Sequence, residues 1–343
     1  MLACELDYSL PPELIAQHPL AARDQSRLLV VGEGALSHRS VAEFPELLPE
    51  DALLVLNDTR VMKARVFAER ASGGRIELLF LNPVPDQPEG TWEALVRSAR
   101  RVKPEERLHL GEATLALGAR TERGTRLVQV SSSVPELLEA HGHVPLPPYV
   151  TRPDDAADVQ RYQTVFARHW GSAAAPTAGL HLTHSMLERV RTRGIEVGFV
   201  TLHVGAGTFK PVSTESLDEH PMHSESYRVG PELAASVARA KEHDRPVVAV
   251  GTTVVRALES AADVEGGLRV GEHETRLLIQ PGYRFRVVDG LLTNFHAPRS
   301  TLLALVYALA GADRIRAAYA EAVQQRYRFL SYGDAMWIPP RSN

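Results

Sequence analysis

The sequence predicts a discontinuous α/β domain interrupted by an all-β unit, and three observations carry that expectation. Residues 60–130 hold six short strand-like runs separated by turn signals, the spacing of a small barrel or sandwich. The flanks instead alternate apolar strand runs with helical periodicity, as in an α/β layer built around a mostly parallel sheet. The stretch Val144-Pro145-Leu146-Pro147-Pro148-Tyr149 must be extended, because proline restricts both itself and its predecessor. It is placed to return the chain from the insert. The expected division is residues 1–60 and 145–343 for the α/β domain and 61–144 for the insert.

Within the insert the strands are expected at 66–68, 75–81, 92–96, 107–110, 113–117 and 126–130. Ser72-Gly73-Gly74, Gly111-Glu112 and Glu122-Arg123-Gly124 are the turn signals between them. Beyond the insert, a helix over 183–193 should stop at Gly194, followed by a buried strand over 195–202. Residues 231–243 suit a helix, since proline is tolerated in a first turn. A second buried strand, 247–250, runs into Gly251-Thr252-Thr253 and a helix through Ala261. Ser300 has the character of an N-cap for a helix over 301–310 that Gly311 should end. Asp313 is expected to cap a last helix ending near Arg328.

Composition bounds the function. The chain has 343 residues, 44% hydrophobic and 23% charged, which suits a soluble globular protein with room for two or three domains. No apolar run approaches the roughly 20 residues of a membrane span; the longest, 302–312, is followed by Asp313 and Arg314. The first residues lack the basic and apolar regions of a secretory signal. Cys4 is the only cysteine, which excludes internal disulfides, thiolate zinc fingers and cysteine-ligated iron–sulfur clusters. A reducing cytoplasm is the expected location. The net charge is −4, so any nucleic-acid contact must use a local patch. Residues 60–107 carry ten Lys and Arg against seven Asp and Glu, densest at Arg97, Arg100, Arg101 and Lys103. Such a patch suits phosphates, or is a solvated face.

Several small groups of residues could carry chemistry. Gly205-Ala206-Gly207-Thr208 follows a strand and either lets backbone N–H groups approach a ligand or forms a plain tight turn. It lacks the third glycine of a dinucleotide fingerprint. Gly251-Thr252-Thr253 lies between strand and helix, where free N–H groups and the helix dipole favour polar or anionic atoms; an ordinary threonine N-cap is the alternative. Fourteen histidines, with His181-x-x-His184 and His220-x-x-His223, invite a metal reading, yet no carboxylate sits at a familiar offset. His203 and His296 stand out because each follows an apolar strand pattern, on the edge where α/β sites form. The small-residue stretch 171–181 is too poor in bulk to pack a core well; it suits close approach to a bulky ligand, or a surface loop. A nucleophilic triad has little support, since Ser172 lies in no G-x-S-x-G turn.

Long strings in order then resemble one family. They include Asn57-Asp58-Thr59-Arg60-Val61, Gly142-His143-Val144-Pro145-Leu146-Pro147-Pro148-Tyr149 and Ala175-Pro176-Thr177-Ala178-Gly179-Leu180-His181. Leu202-His203-Val204-Gly205-Ala206-Gly207-Thr208-Phe209, Met222-His223-Ser224-Glu225, Thr293-Asn294-Phe295-His296 and Ser331-Tyr332-Gly333-Asp334-Ala335-Met336 continue the match nearly end to end. The sequence resembles the S-adenosylmethionine:tRNA ribosyltransferase-isomerases of queuosine biosynthesis. It departs from that pattern at Lys63-Ala64-Arg65, where proline is expected first, and at Ala297-Pro298-Arg299, where leucine is expected first.

The resemblance implies an α/β domain with an inserted six-stranded β-barrel, and a reaction. The ribosyl part of S-adenosylmethionine passes to a 7-aminomethyl-7-deazaguanine at the tRNA wobble position and rearranges to give epoxyqueuosine, with adenine and methionine released. S-adenosylmethionine is the ribosyl donor, tRNA the partner, and no other cofactor or metal is implied; a monomer is expected. The sulfonium acidifies the 5′ carbon, so a general base is wanted, and His203, His181 and His296 are the candidates, with His203 the first choice and His181 the second. Gly205, Gly207, Thr208, Thr252, Thr253 and Asn294 are expected around the S-adenosylmethionine. Arg256 and Glu259, about one helical turn beyond Gly251, either face that site or form a surface i, i+3 ion pair. Asn57, Arg60 and Tyr149 are expected at the modified base or the anticodon backbone. The competing expectation is a His-ligated metal-dependent hydrolase. A noncatalytic RNA-binding module would leave the long α/β portion unexplained.

Overall fold

The structure, a computed structural model, describes residues 1–97, 102–103, 105–121, 124–205 and 212–341. Nine strands among these form one sheet, in the order Gly271–Thr275, Glu225–Val229, Glu196–Leu202, Leu53–Asn57, Val247–Val250, Gly290–Asn294, Ala335–Ile338, Arg27–Val30 and Ser37–Ser40. The four central strands, from Glu196–Leu202 to Gly290–Asn294, are mutually parallel. Antiparallel pairs flank them on both sides. The sheet is therefore mixed rather than mostly parallel, although Arg27–Val30 and Ala335–Ile338 pair parallel beyond the antiparallel step.

The central strands are apolar on both faces because both faces are covered. Leu53 and Val55 point into one core while Leu54 and Leu56 point into another, and Val247 and Ala249 alternate with Val248 and Val250 in the same way. Helix Thr252–Ala261 packs over the sheet with nine of its ten residues buried. All four parallel strands end on one edge, at Leu202, Asn57, Val250 and Asn294. That edge is where an open α/β sheet offers a ligand site.

The insert is a closed six-stranded antiparallel barrel of Arg65–Arg70, Arg75–Pro83, Thr91–Val96, Arg107–Leu110, Ala113–Arg120 and Arg126–Val130. Period-two alternation fills its interior with Val66, Ala68, Leu78, Phe80, Leu115 and Val128. Helix Val134–His141, which the pattern reading missed, closes one end with Val134, Leu137 and Leu138 in the same core. The chain then leaves through His143, bridged to Arg65, and the extended 144–149 stretch.

Helix Thr301–Ala310 starts on a Ser300 cap, as expected, and helix His184–Thr192 on a Thr183 cap, one residue later than the expected start. The last helix differs. Gly311, at φ 92°, ends one helix and caps the next, so Asp313 lies inside the first turn of Ala312–Gln324. That helix stops at Gln324, four residues short of the expected end. The 171–181 stretch is no surface loop: Ser172, Ala174 and Ala178 are buried, and 177–181 is a 3₁₀ turn. Its small side chains permit tight packing. A methyl at Gly179 would meet Phe166 Cζ at 2.9 Å and Thr164 Cγ2 at 3.0 Å.

Candidate functional site

A cavity opens at the carboxyl edge of the parallel strands. Val204, Gly251, Thr252, Asn294 and His296 come from three of the four parallel strand ends, and Ala175–Ala178 and Ser331 close it from the other side. Gly251 has φ 94°, a conformation that lets the chain turn from strand to helix and brings the first helical residues to the wall. Thr252 and Thr253, both buried, thereby line the cavity where the helix leaves backbone N–H groups unpaired.

Asn294 is the most informative side chain. Its Nδ2 reaches His181 Nε2 and the Leu330 carbonyl oxygen, each at 3.1 Å. A carbonyl can only accept, so this nitrogen is the amide donor, and its two hydrogens serve both contacts. Asn294 Oδ1 is then buried with no partner. A buried orphan acceptor costs about 1–3 kcal/mol, so the cavity asks for a hydroxyl or N–H from a ligand. His181 Nε2 must itself be an acceptor, which requires a neutral ring. Burial, with the cations Arg23 and Arg328 nearby, pushes the His181 pKa down to about 4.

His296 lies on the cavity wall, and burial lowers its pKa to about 3. Its Nε2 is 2.9 Å from Thr293 Oγ1. Its backbone is clamped on both sides: Tyr319 Oη accepts from its N–H at 2.9 Å, and Tyr8 donates to its carbonyl oxygen at 2.5 Å. Tyr149 Oη, 2.6 Å from Ser331 Oγ, completes the rim.

Both the fold and these strings match known proteins. A family model described as queuosine biosynthesis protein matches residues 3–338. The chain belongs to this family. Among its relatives are S-adenosylmethionine:tRNA ribosyltransferase-isomerases of Sorangium cellulosum, 47% identical over 98% of both chains, and of Azoarcus sp., 50% identical over 97% of this chain and 96% of that one. The crystal structure of S-adenosylmethionine tRNA ribosyltransferase from Thermotoga maritima is 37% identical, covers 97% of this chain and 99% of that one, and superposes with a TM-score of 0.55. None of these relatives is named as a hydrolase, and the metal-hydrolase expectation finds no support. Among the described residues no three His, Cys, Asp or Glu side chains gather as a ligand set.

Within this family member the structure brings together only part of the expected site. His296, Thr252, Thr253, Asn294 and Tyr149 share the cavity, and His181 touches it through Asn294. His203 does not line it. One residue before Val204, its ring faces the opposite way, 2.7 Å from Thr59 Oγ1 and against Gly171, where an added methyl would sit 3.0 Å from the ring. Burial, then His169, lowers its pKa. Gly205 donates its N–H to Glu225, while Gly207 and Thr208 lie outside the described residues.

Glu259 fits neither expected alternative. Its carboxylate accepts from the backbone N–H groups of Arg286, Val287 and Val288 and from Tyr283 Oη, so it holds the 283–288 loop. Arg256 pairs instead with Glu225, some 30 residues earlier. Asn57 is also internal. It bonds both the N–H and the carbonyl of Leu202, the Thr59 N–H and Thr253 Oγ1, tying neighbouring strand ends beneath the cavity. It has nothing left for a nucleotide.

The basic patch is largely neutralised. Glu77 pairs with both Arg65 and Arg97, Glu106 with Arg70, and Glu139 with Lys63. Lys103 is exposed, whereas Arg100 and Arg101 lie outside the described residues. Arg60 is exposed on Thr59–Val61, in register with Trp170 of the parallel strand His169–Ser172. Sequence reasoning passed over Trp170, since one tryptophan in a small-residue stretch carries no signal until the strands pair. Tyr8 was equally silent, lying 288 residues from the carbonyl it holds.

Proposed function

We propose that the chain moves the ribosyl part of S-adenosylmethionine onto 7-aminomethyl-7-deazaguanine at the tRNA wobble position and isomerises it to epoxyqueuosine. Adenine and methionine leave, and S-adenosylmethionine is consumed as the donor, with no other cofactor. Membership of the family along nearly the whole chain carries this reading, and the cavity at the sheet edge suits it. In this reading Thr252 and Thr253 receive the nucleoside at a helix N-terminus, and Asn294 Oδ1 accepts from a ribose hydroxyl.

His296 is the base we favour for the 5′ proton. It lines the cavity and is neutral at working pH. Ylide formation conserves charge, because the positive charge passes from sulfonium to imidazole. The burial that makes His296 a weak base in the free protein is offset in the product, where the carbanion of the net-neutral ylide lies beside the imidazolium as an opposite charge. His181, bonded to Asn294, positions the amide. His203, facing Thr59, is the second choice for the base.

The tRNA reading places the anticodon loop across the junction of the two units. Arg60, Trp170 and the rim Tyr149 are the contacts we propose, with Arg97 and Lys103 near the backbone. The insert is taken as 61–144 and the α/β domain as 1–60 and 145–343. Among the described residues the exposed large apolar side chains are Leu2, Val159, Trp170, Val264 and Val270, which favours a monomer. No helix of the described chain is long and apolar enough to cross a membrane, and a tRNA substrate favours the cytoplasm.

The test is the reaction itself. Incubated with S-adenosylmethionine and tRNA bearing the aminomethyl base, the protein should release adenine and methionine in equal amounts and transfer the ribosyl carbons to tRNA. Release of S-adenosylhomocysteine would mean methyl transfer and overturn the proposal.

A further inference from the structure

A second cavity adjoins the first, and Leu302 lines both. Arg256, His220 and Met222 face it, with Leu278 and Leu305 supplying apolar wall. Arg256 sits one helical turn beyond Thr252, so a single helix presents its first turn to one cavity and its second to the other. Four residues of helix rise about 6 Å, a separation that the short methionine side chain can bridge.

The guanidinium of Arg256 is only partly satisfied. Its Nε donates to the Leu277 carbonyl at 3.1 Å and its Nη1 to Glu225. Gly205 N–H also donates to that carboxylate, at 3.2 Å. These contacts fix the plane of the fork, yet Nη2 is buried with no partner on a side chain only 7% exposed. His220 Nδ1 in the same cavity is likewise buried and unpartnered. Arg256 Nη2 is thus an oriented donor without an acceptor, while Glu225 on the same wall holds the other side of the fork. Guanidinium geometry favours carboxylate or phosphate.

We propose that Arg256 anchors the carboxylate of the amino-acid end of S-adenosylmethionine, and of the methionine that leaves. This rests on the ribosyl-transfer reading above and adds the division of the donor between the two cavities. The nucleoside occupies the first, the methionyl chain passes Leu302, and Arg256 Nη2 meets the carboxylate in the second. The sulfonium then lies between them, beside the wall that carries His296. Arg256 thus binds the part of the donor that takes no share in the chemistry.

Decarboxylated S-adenosylmethionine, which keeps the sulfonium, ribose and adenine, is the discriminating probe. The wild-type protein should use it with a KM about 10- to 100-fold above that for S-adenosylmethionine, the loss expected for one charge-assisted bond. Arg256→Gln should raise the KM for S-adenosylmethionine by a similar factor, leave that for the decarboxylated compound nearly unchanged, and so erase the discrimination. A purely structural arginine would affect both compounds alike. Should Arg256→Gln not fold with Glu225 left unpaired, Arg256→Gln/Glu225→Gln removes both buried charges, and the wild-type comparison stands without any variant. Equal use of the two compounds by the wild type, or discrimination that survives in a folded variant, overturns the anchor while turnover continues. Absence of any turnover of S-adenosylmethionine would instead overturn the function on which the anchor rests.

Discussion

The sheet edge and the barrel treat polar groups in opposite ways. At the sheet edge His181, Asn294 and His296 are buried and uncharged, and Asn294 Oδ1 is left open. On the barrel Arg65 and Arg70 are half-buried and Arg97 is exposed, and each is matched by Glu77 or Glu106. A buried orphan is costly and persists only where a ligand or another compensation repays it. A surface ion pair costs little and says little, being worth about 0–1 kcal/mol. An orphan acceptor on a side chain that lines a cavity, not density of charge, therefore marks the site.

Substitutions can sharpen that contrast. The largest effect is expected from His296→Ala, with turnover down by roughly 10²–10⁴-fold, the range for loss of a general base, and a smaller change in S-adenosylmethionine binding. His203→Ala should keep more turnover than His296→Ala in the same assay, because its ring lies outside the cavity. The reverse order would move the chemistry to the Thr59 side. Glu259→Leu should act on stability instead. Leaving the Arg286, Val287 and Val288 N–H groups without their acceptor should cost about 3 kcal/mol or more, read as a shifted urea midpoint, with KM nearly unchanged. A large KM effect without destabilisation would return Glu259 to the ligand.

Acid should also separate the two regions. The folded pKa values of His181 and His296, about 4 and about 3, lie below the ordinary 6.5. The unfolded chain therefore binds more protons between these values, and stability rises with pH across that window. This contribution is complete above about pH 6.5 and is lost as the pH falls toward the folded values. Melting temperatures measured from pH 7 down to pH 4 should drop, and the slope should be shallower in His296→Ala. The smallest effect is expected from Arg97→Gln, since Glu77 already holds that guanidinium. The dependence of tRNA binding on salt should change by less than the roughly one unit of slope that a free phosphate contact contributes.

Strands, helix starts and stops were legible where local chemistry decides them, as at Ser300, Gly311 and the Val247–Val250 run. The helix 134–141 was not, because it is short and its apolar residues matter only against a closed barrel. The mixed sheet was hidden as well, since strand direction depends on partners far away in sequence. For the site, Thr252 and His296 could be read from strand ends, whereas Asn294 came only with the family resemblance. The facing of His203 could not, because a single step along the chain reverses it. The partners of Arg256 and Glu259 lay beyond reach for another reason: helix spacing offers them to each other, and the fold gives each a distant counterpart.

The central claim is that the donor reacts at the sheet edge. A crystal structure of the protein with S-adenosylmethionine tests it most directly. The account predicts the adenosyl group against Thr252 and Thr253, a ribose hydroxyl within hydrogen-bond distance of Asn294 Oδ1, and the 5′ carbon turned toward His296. An adenosyl group bound at the Arg60–Trp170 junction, or with Asn294 Oδ1 still unmet, would contradict it.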